Sequence, residues 1–298
     1  MSDWNNGEAA GDRPDRAAQP RDRTDLAAAG VQFGDAAPPG LAGGGAAALR
    51  LDKRTYLDGE QQGKYSIKAH DYGGGLCEIG WSFVGSILFG KAARGVAEER
   101  DVHEMRAIRR ARSRLRQLVL SANADHLLTL TYRENVTDYQ RAAIDLGRFI
   151  RRVKTYLPDW VYIAVPERQQ RGAWHWHMAV IGRQNVDLLR ACWRDVVGEG
   201  NIDVQKPKNR TANRRLALVK YLGKYLAKGF EDEERELNGH RYRASLGIEV
   251  PSETIVLPPE HRGNVPQYVQ DQLRARAGVV GFEWLDPQGM AGWACSWA

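Results

Sequence analysis

The chemistry in this sequence concentrates in Gly172-Ala-Trp-His175-Trp176-His177-Met-Ala-Val180-Ile, where two imidazoles sit one residue apart in a run of aromatic and β-branched residues that Gly182 closes. In a strand, successive side chains point to opposite faces, so His175 and His177 share one face about 6 to 7 Å apart and Trp176 takes the other. That spacing suits two ligands of one metal ion. Upstream, Val-Tyr-Ile-Ala-Val-Pro-Glu167 reads as another strand, and Arg168-Gln-Gln-Arg-Gly172 as a polar turn of hairpin length. A hairpin folded there returns Glu167 to the side of the histidines. Two imidazoles and one carboxylate suit a borderline-to-hard divalent ion, Mn²⁺, Mg²⁺ or Zn²⁺, with coordination positions left for a substrate oxygen. A His-x-His strand alone is equally compatible with histidines satisfied by ordinary hydrogen bonds, so further residues are needed to decide.

They come downstream, in Val219-Lys220-Tyr221-Leu-Gly-Lys224-Tyr225-Leu-Ala-Lys228-Gly229. Read as a helix closed by Gly229, it puts Tyr221 and Tyr225 at i and i+4 on one face, with Lys224 and Lys228 each three residues beyond a tyrosine on nearly the same face. Two phenols and two ammoniums on one stripe make a poor core face. Leu222 and Leu226, on a neighbouring stripe, are the residues expected to dock the helix.

The His-hydrophobic-His strand, the carboxylate before it, the Tyr-x-x-Lys-Tyr-x-x-Lys helix about 45 residues later and the earlier run Leu127-Leu-Thr-Leu-Thr131-Tyr follow one another as the motifs of the HUH endonucleases do. Within that superfamily the chain most resembles the two-tyrosine rolling-circle replication initiators of phages and plasmids, the group of the phage gene A and gene II proteins. The resemblance runs from about Arg106 to about Ser245. It implies a metal-binding site for Mg²⁺ or Mn²⁺ held by Glu167, His175 and His177, and attack by Tyr221 or Tyr225 on single-stranded origin DNA. The product would be a 5′-phosphotyrosine link and a free 3′-hydroxyl primer, and the other tyrosine would resolve the intermediate and rejoin strands. Lys224 and Lys228 would lower a phenol pKa or steady charge growing on phosphate. The run 127–132 would be a strand of the sheet floor that holds DNA, with Thr129 and Thr131 facing it. Arg168, Arg171, Lys206, Lys208, Arg210, Arg214, Arg215 and Lys220 would contact the DNA backbone. A host helicase and DNA polymerase are the implied partners, and the cytoplasm of a bacterial host the implied location.

The charge distribution agrees with a polyanionic partner. The net charge is +6 over 298 residues, but arginine and lysine crowd three spans: 106–116, then Arg148, Arg151, Arg152 and Lys154, then 206–220 leading into the tyrosine helix. Lysine and arginine clusters neutralise phosphates and release counterions. Cys77, Cys192 and Cys295 lack metal-ligand spacing and suggest neither a disulfide framework nor a zinc finger. The run from Trp81 to Phe89 is too short to cross a bilayer. Gly85-Ser-Ile-Leu-Phe-Gly90-Lys91-Ala92 nearly matches a phosphate-cradling loop, but Ala92 replaces the hydroxyl that would bind Mg²⁺.

These residues need elements to position them. Residues 1–47, rich in Ala, Gly, Pro, Asp and Arg, read as a disordered tail, and 48–95 as an accessory region of short strands. A nuclease domain over 96–235 begins with an amphipathic basic helix to Leu120, ended by Asn123. A strand at 125–132 follows, then a helix over 137–155 with Thr137 as N-cap, the hairpin, a helix over 185–197, a strand at 201–204 and the tyrosine helix. His126 reads as structural. A C-terminal extension over 236–298 holds strands at 241–247 and 253–257, a helix at 266–277, and Trp284, Trp293 and Trp297, whose rings are expected to pack back on the domain, with stacking on bases as the alternative. The fold class is α+β, a ferredoxin-like arrangement with a mostly antiparallel central sheet flanked by helices. Three other readings remain open. A two-tyrosine transposase or relaxase would share the chemistry. A cupin-like metal oxygenase also uses His-x-His but needs a Glu shortly after the pair and a later histidine, and here no Glu follows and His240 is next. A non-catalytic nucleic-acid-binding protein would explain the basic clusters but not the tyrosines.

Overall fold

The computed structural model describes residues 63–85, 100–207, 213–231 and 241–297, all within one unit, Ala36–Ala298. The fold is α+β, with two antiparallel five-stranded sheets flanked by helices. The sheet that carries the site is built from β3 (His126–Tyr132), β4 (Tyr162–Arg168), β5 (Trp174–Val180), β6 (Gly200–Gln205) and the two-residue β7 (Arg243–Ala244), in the order β6-β3-β5-β4-β7. Helix α2 (Tyr139–Tyr156) connects β3 to β4, and α3 (Val186–Val197) connects β5 to β6. Strand, helix, strand, strand, helix, strand with the first four strands in the order 4-1-3-2 is the split βαβ pattern of ferredoxin-like domains.

The strands alternate, and the alternation sorts the core into two layers. Leu128, Leu130, Trp176, Met178 and Val180 face α2 and α3, where Leu146, Phe149, Val153, Leu189 and Trp193 meet them. Leu127, Ile163, Val165 and Ala179 face the other way, against α1 (Arg100–Ser121) and α4 (Arg214–Glu231), through Leu115, Leu118, Leu218, Leu222 and Leu226. Leu222 and Leu226 therefore dock the tyrosine helix as its spacing requires, each fully buried and each stabilising the docked helix by about 1.5–3 kcal/mol. The Asp138 carboxylate, not Thr137, caps α2 by accepting from Gln140 N, and the tyrosine helix continues past Gly229 to Glu231. Asn123 ends α1 with a positive φ of 55°, and His126 is buried against Asp125, 2.8 Å away.

The second sheet joins stretches far apart in sequence: β1 (Lys64–Asp71) and β2 (Cys77–Val84) pair with β8 (Glu253–Leu257), β9 (Phe282–Leu285) and β10 (Ala291–Cys295) in the order β8-β1-β2-β10-β9. Helix α5 (Val265–Ala277) covers one face through Val265, Val269 and Leu273. Trp293 packs inward, as expected of the C-terminal tryptophans, and beside it Gly292 leaves room for the buried Trp81 ring of β2, which a Cβ at that position would strike. The near-miss phosphate loop falls at 86–92, outside the described residues. Among the described residues no helix is long and apolar enough to cross a membrane.

One buried ionic group ties this sheet to helix α1. Glu78, 1% exposed, accepts from Arg116 Nε of α1 at 2.8 Å, from the Tyr72 hydroxyl at 2.6 Å and from Trp293 Nε1 at 3.1 Å. A buried carboxylate with this many donors is satisfied, whereas Arg116 deprived of it is not. Glu78→Ala should therefore cost about 3–5 kcal/mol in urea unfolding, with Glu78→Gln costing less because an amide still accepts from Tyr72 or Trp293. Equal, small losses in both variants would show that the network carries no stability.

Candidate active site

Register places the site residues. In the β4–β5 hairpin Glu167 stands opposite His175 and Val165 opposite His177. On the other side of β5, Thr131 stands opposite His175 and Thr129 opposite His177. The turn between β4 and β5 uses Gly172 at φ +85°, a conformation that side chains rarely adopt. His175, His177, Glu167, Thr129 and Thr131 thus share the face onto which the tyrosine helix docks.

The helix lays its tyrosines directly over this surface. The Tyr225 ring stacks on the His177 imidazole, with centroids 4.1 Å apart and planes 18° apart, and Tyr221 meets the same imidazole edge-on at 5.6 Å. The two phenols are in contact, Tyr225 OH donating to Tyr221 OH at 3.1 Å. Below them His177 Nε2 donates to Glu167 Oε2 at 2.7 Å, and Thr129 Oγ1 lies 3.3 Å from His177 Nδ1. Lys228, one turn beyond Tyr225, reaches down to Glu167 Oε1 at 2.9 Å. Lys224 Nζ lies 5.9 Å from the Tyr225 ring centroid.

Burial sets the electrostatics. Desolvation, reinforced by the neighbouring His177, lowers the His175 pKa to about 4, so this imidazole is neutral at physiological pH. Burial alone would raise the Glu167 pKa, but hydrogen bonds from His177 and Lys228 outweigh it and hold the carboxyl below its ordinary value. Burial pushes both phenols up: Tyr225 further, with the Tyr221 and Glu167 charges adding to the effect, and Tyr221 with partial relief from its bond to Tyr225. Neither phenol releases its proton spontaneously at neutral pH.

By residue type the donor set suits a divalent cation. It offers two imidazoles and an ionised carboxylate, and His175 Nε2 is buried without a hydrogen-bond partner, the condition of a polar atom shaped for an external ligand. Among the described residues no three His, Cys, Asp or Glu side chains stand together in a group that could hold a metal ion, and Glu167 is engaged by His177 and Lys228. A cation would compete with those two contacts for the carboxylate oxygens.

Not every residue singled out in the sequence joins this surface. Arg168 pairs with Trp174 and so projects from the opposite side of the hairpin. Arg171 donates to the Gln169 side chain at 3.1 Å. Arg215 turns inward: its guanidinium donates to the carbonyls of Tyr72, Leu120 and Gly73 and clamps the first turn of the tyrosine helix to the second sheet. Arg214 is exposed at the start of that helix, Lys220 half-buried within it, and Lys206 exposed just after β6. Lys208, Arg210 and His240 lie outside the described residues. Two residues not singled out also reach the site: Gln169, whose amide nitrogen is 3.2 Å from His175 Nδ1, and Asp203, opposite Thr129 in β6 and near enough to oppose ionisation of Tyr221. Strand parity from Asn201 would have found Asp203. Gln169 lies in the hairpin turn, where periodicity gives no facing.

Comparison with known proteins falls on these same elements. Residues 125–230 match the family model for replication-associated proteins of the ORF2 and gene II protein type. The matched span contains β3, the hairpin and the tyrosine helix as far as Phe230. It supports a rolling-circle Rep-type family and, at that general level, suggests a replication initiator with endonuclease activity. No curated protein and no solved structure matches the chain.

The depressed His175 pKa makes a prediction for the metal-free protein. Imidazole ¹⁵N shifts followed by NMR should show His175 neutral down to about pH 4. Because the unfolded chain takes up this proton near pH 6.5 and the folded chain refuses it, stability should fall as pH drops from about 6.5 towards 4. A His175 midpoint near 6.5 would mean that the ring is solvated.

Proposed function

We propose that this protein is a rolling-circle replication initiator that nicks single-stranded origin DNA by tyrosine attack at a metal-assisted HUH centre. The observation that carries the reading is the contact of the Tyr221 and Tyr225 hydroxyls above the His177–Glu167 pair. Glu167, His175 and His177 would hold Mg²⁺ or Mn²⁺, which when bound polarises a non-bridging phosphate oxygen.

The remaining work falls to the chain's own side chains. One phenol oxygen forms a bond to phosphorus as the bond from phosphorus to the 3′-oxygen breaks, leaving the 5′-phosphate on tyrosine and a 3′-hydroxyl that takes up a proton. Both phenols start protonated, so proton loss accompanies attack, and the second phenol, 3.1 Å away, is placed to pass that proton on. Lys228, 45% exposed and 2.9 Å from Glu167 until a cation takes that carboxylate oxygen, adds positive charge beside the developing phosphate charge, and Lys224 adds more from the neighbouring turn. With two phenols in contact, an intermediate on one is within reach of the other, so transfer and rejoining need no energy source beyond the phosphodiester itself. Thr129 and Thr131 would form the floor under the strand, and Arg214, Lys206 and Lys220 would contact its phosphates. Host helicase and polymerase would act on the exposed 3′-end.

Incubation with single-stranded DNA from the protein's own origin and Mn²⁺ or Mg²⁺ should give a covalent adduct on denaturing gels. The adduct should disappear with EDTA and in the double variant Tyr221→Phe, Tyr225→Phe, and Lys228→Ala should slow its formation by about tenfold to a hundredfold. Cutting without an adduct would make water the nucleophile and remove the tyrosines from the chemistry.

A further inference from the structure

The basic cluster of α2 stands apart from the tyrosine site. Arg148, Arg151, Arg152 and Thr155 fall at i, i+3, i+4 and i+7 on one helix face and, with Asp195 and Val196 of α3, line an open cleft. Helices α2 and α3 cover the face of the sheet that carries Trp176 and Met178, whereas the tyrosines cover the face that carries His175 and His177. The cleft and the tyrosines are therefore on opposite sides of the central sheet. All three arginines are exposed, and α2 carries Arg141, Arg148, Arg151, Arg152 and Lys154 against one acidic residue, Asp145.

We propose that this cleft is a second, non-catalytic site for the phosphate backbone of DNA. From position 148 to 155 the stripe runs about 10 Å along the helix, about three nucleotides of one strand measured along a duplex axis at 3.4 Å each. Guanidinium forks match phosphate oxygens in pairs. The cleft's one carboxylate, Asp195, is held by Arg152 at 2.6 Å, and Arg148 is 3.8 Å from Asp145, so both arginines are oriented before a ligand arrives while remaining open to solvent. Tyr156, exposed at the end of the same helix and close enough to Arg152 to affect it electrostatically, offers a ring face for an unpaired base next to the phosphates. The protein would hold one segment of DNA here while another occupies the tyrosine site. The site is independent of the nicking chemistry, because its occupation needs neither metal nor tyrosine.

The test is fluorescence anisotropy of the full chain in EDTA, with a labelled 30-nucleotide single strand and the matching duplex, over about 50 to 200 mM salt. The triple variant Arg148→Ala, Arg151→Ala, Arg152→Ala should bind about tenfold more weakly at low salt. Its slope of log affinity against log salt should be shallower by about two, given a change of about 0.7 to 0.9 for each phosphate that is no longer neutralised. Asp195→Asn, which removes the opposing carboxylate, should bind about twofold more tightly, and Tyr156→Ala should weaken the single strand more than the duplex. Arg274→Ala, on the far helix α5, should leave affinity unchanged. A folded triple variant with wild-type affinity and slope overturns the proposal in favour of an acidic protein partner for the cleft. An Asp195→Asn variant that binds no tighter counts against it even if the triple variant does not fold.

Discussion

The two-residue alternation of β5 sends His175 and His177 to the face that receives the tyrosine helix and Trp176, Met178 and Val180 to the face that receives α2 and α3. A slip of one residue in its pairing would bury two imidazoles among leucines and present indoles to the phenols. The fully buried Trp176, Met178 and Val180 on one face, and Ala179 against Leu127, Ile163 and Val165 on the other, make that slip costly. The site's precision is thus inherited from apolar packing that takes no part in the chemistry. Thr129 and Glu167 then occupy their positions because the strands flanking β5 must keep its register.

The tyrosine helix is the other half of the site, and its placement depends on contacts outside the matched span. Leu218, Leu222 and Leu226 fix its roll against the sheet, while Arg215 fixes its start by donating to carbonyls at the turn of β1 and β2 and at the end of α1. That turn is itself held through Tyr72, Glu78 and Arg116. The second sheet therefore acts as a brace: it supplies no side chain to the donor set, yet the helix that carries both phenols is anchored to it. An arginine two residues from a basic loop looks like a DNA contact in sequence, and only the fold reveals that its charge is directed at the backbone.

Most of the central domain was legible because its signals are local. The 3.6-residue stripe of α2, the strand–turn–strand at Glu167 to His177 and the Tyr–Lys periodicity of α4 each state an element and its buried face within about a dozen residues. The second sheet was not legible as one object, since strands at 64–84 and 253–295 pair across most of the chain and no local pattern encodes a partner so distant. The same reason hid Glu78, an acidic residue in a strand that reads as exposed until Arg116, Tyr72 and Trp293 converge on it. Arg168 illustrates a finer limit: one residue past Glu167, it has the right charge but the wrong parity. The N-cap of α2 is Asp138 rather than Thr137 because both side chains are competent and backbone angles make the choice.

To work as the proposed catalytic centre, this surface would need Glu167, His175 and His177 to accept a divalent ion together beneath the two touching phenols. Anomalous diffraction from crystals of the full chain grown with Mn²⁺ tests that directly. A strong peak bonded to His175 Nε2 and shared with His177 and Glu167 is expected, with Lys228 displaced from the carboxylate oxygen it now holds. A crystal in Mn²⁺ that keeps the Glu167–His177 and Glu167–Lys228 contacts and shows no peak there would contradict it.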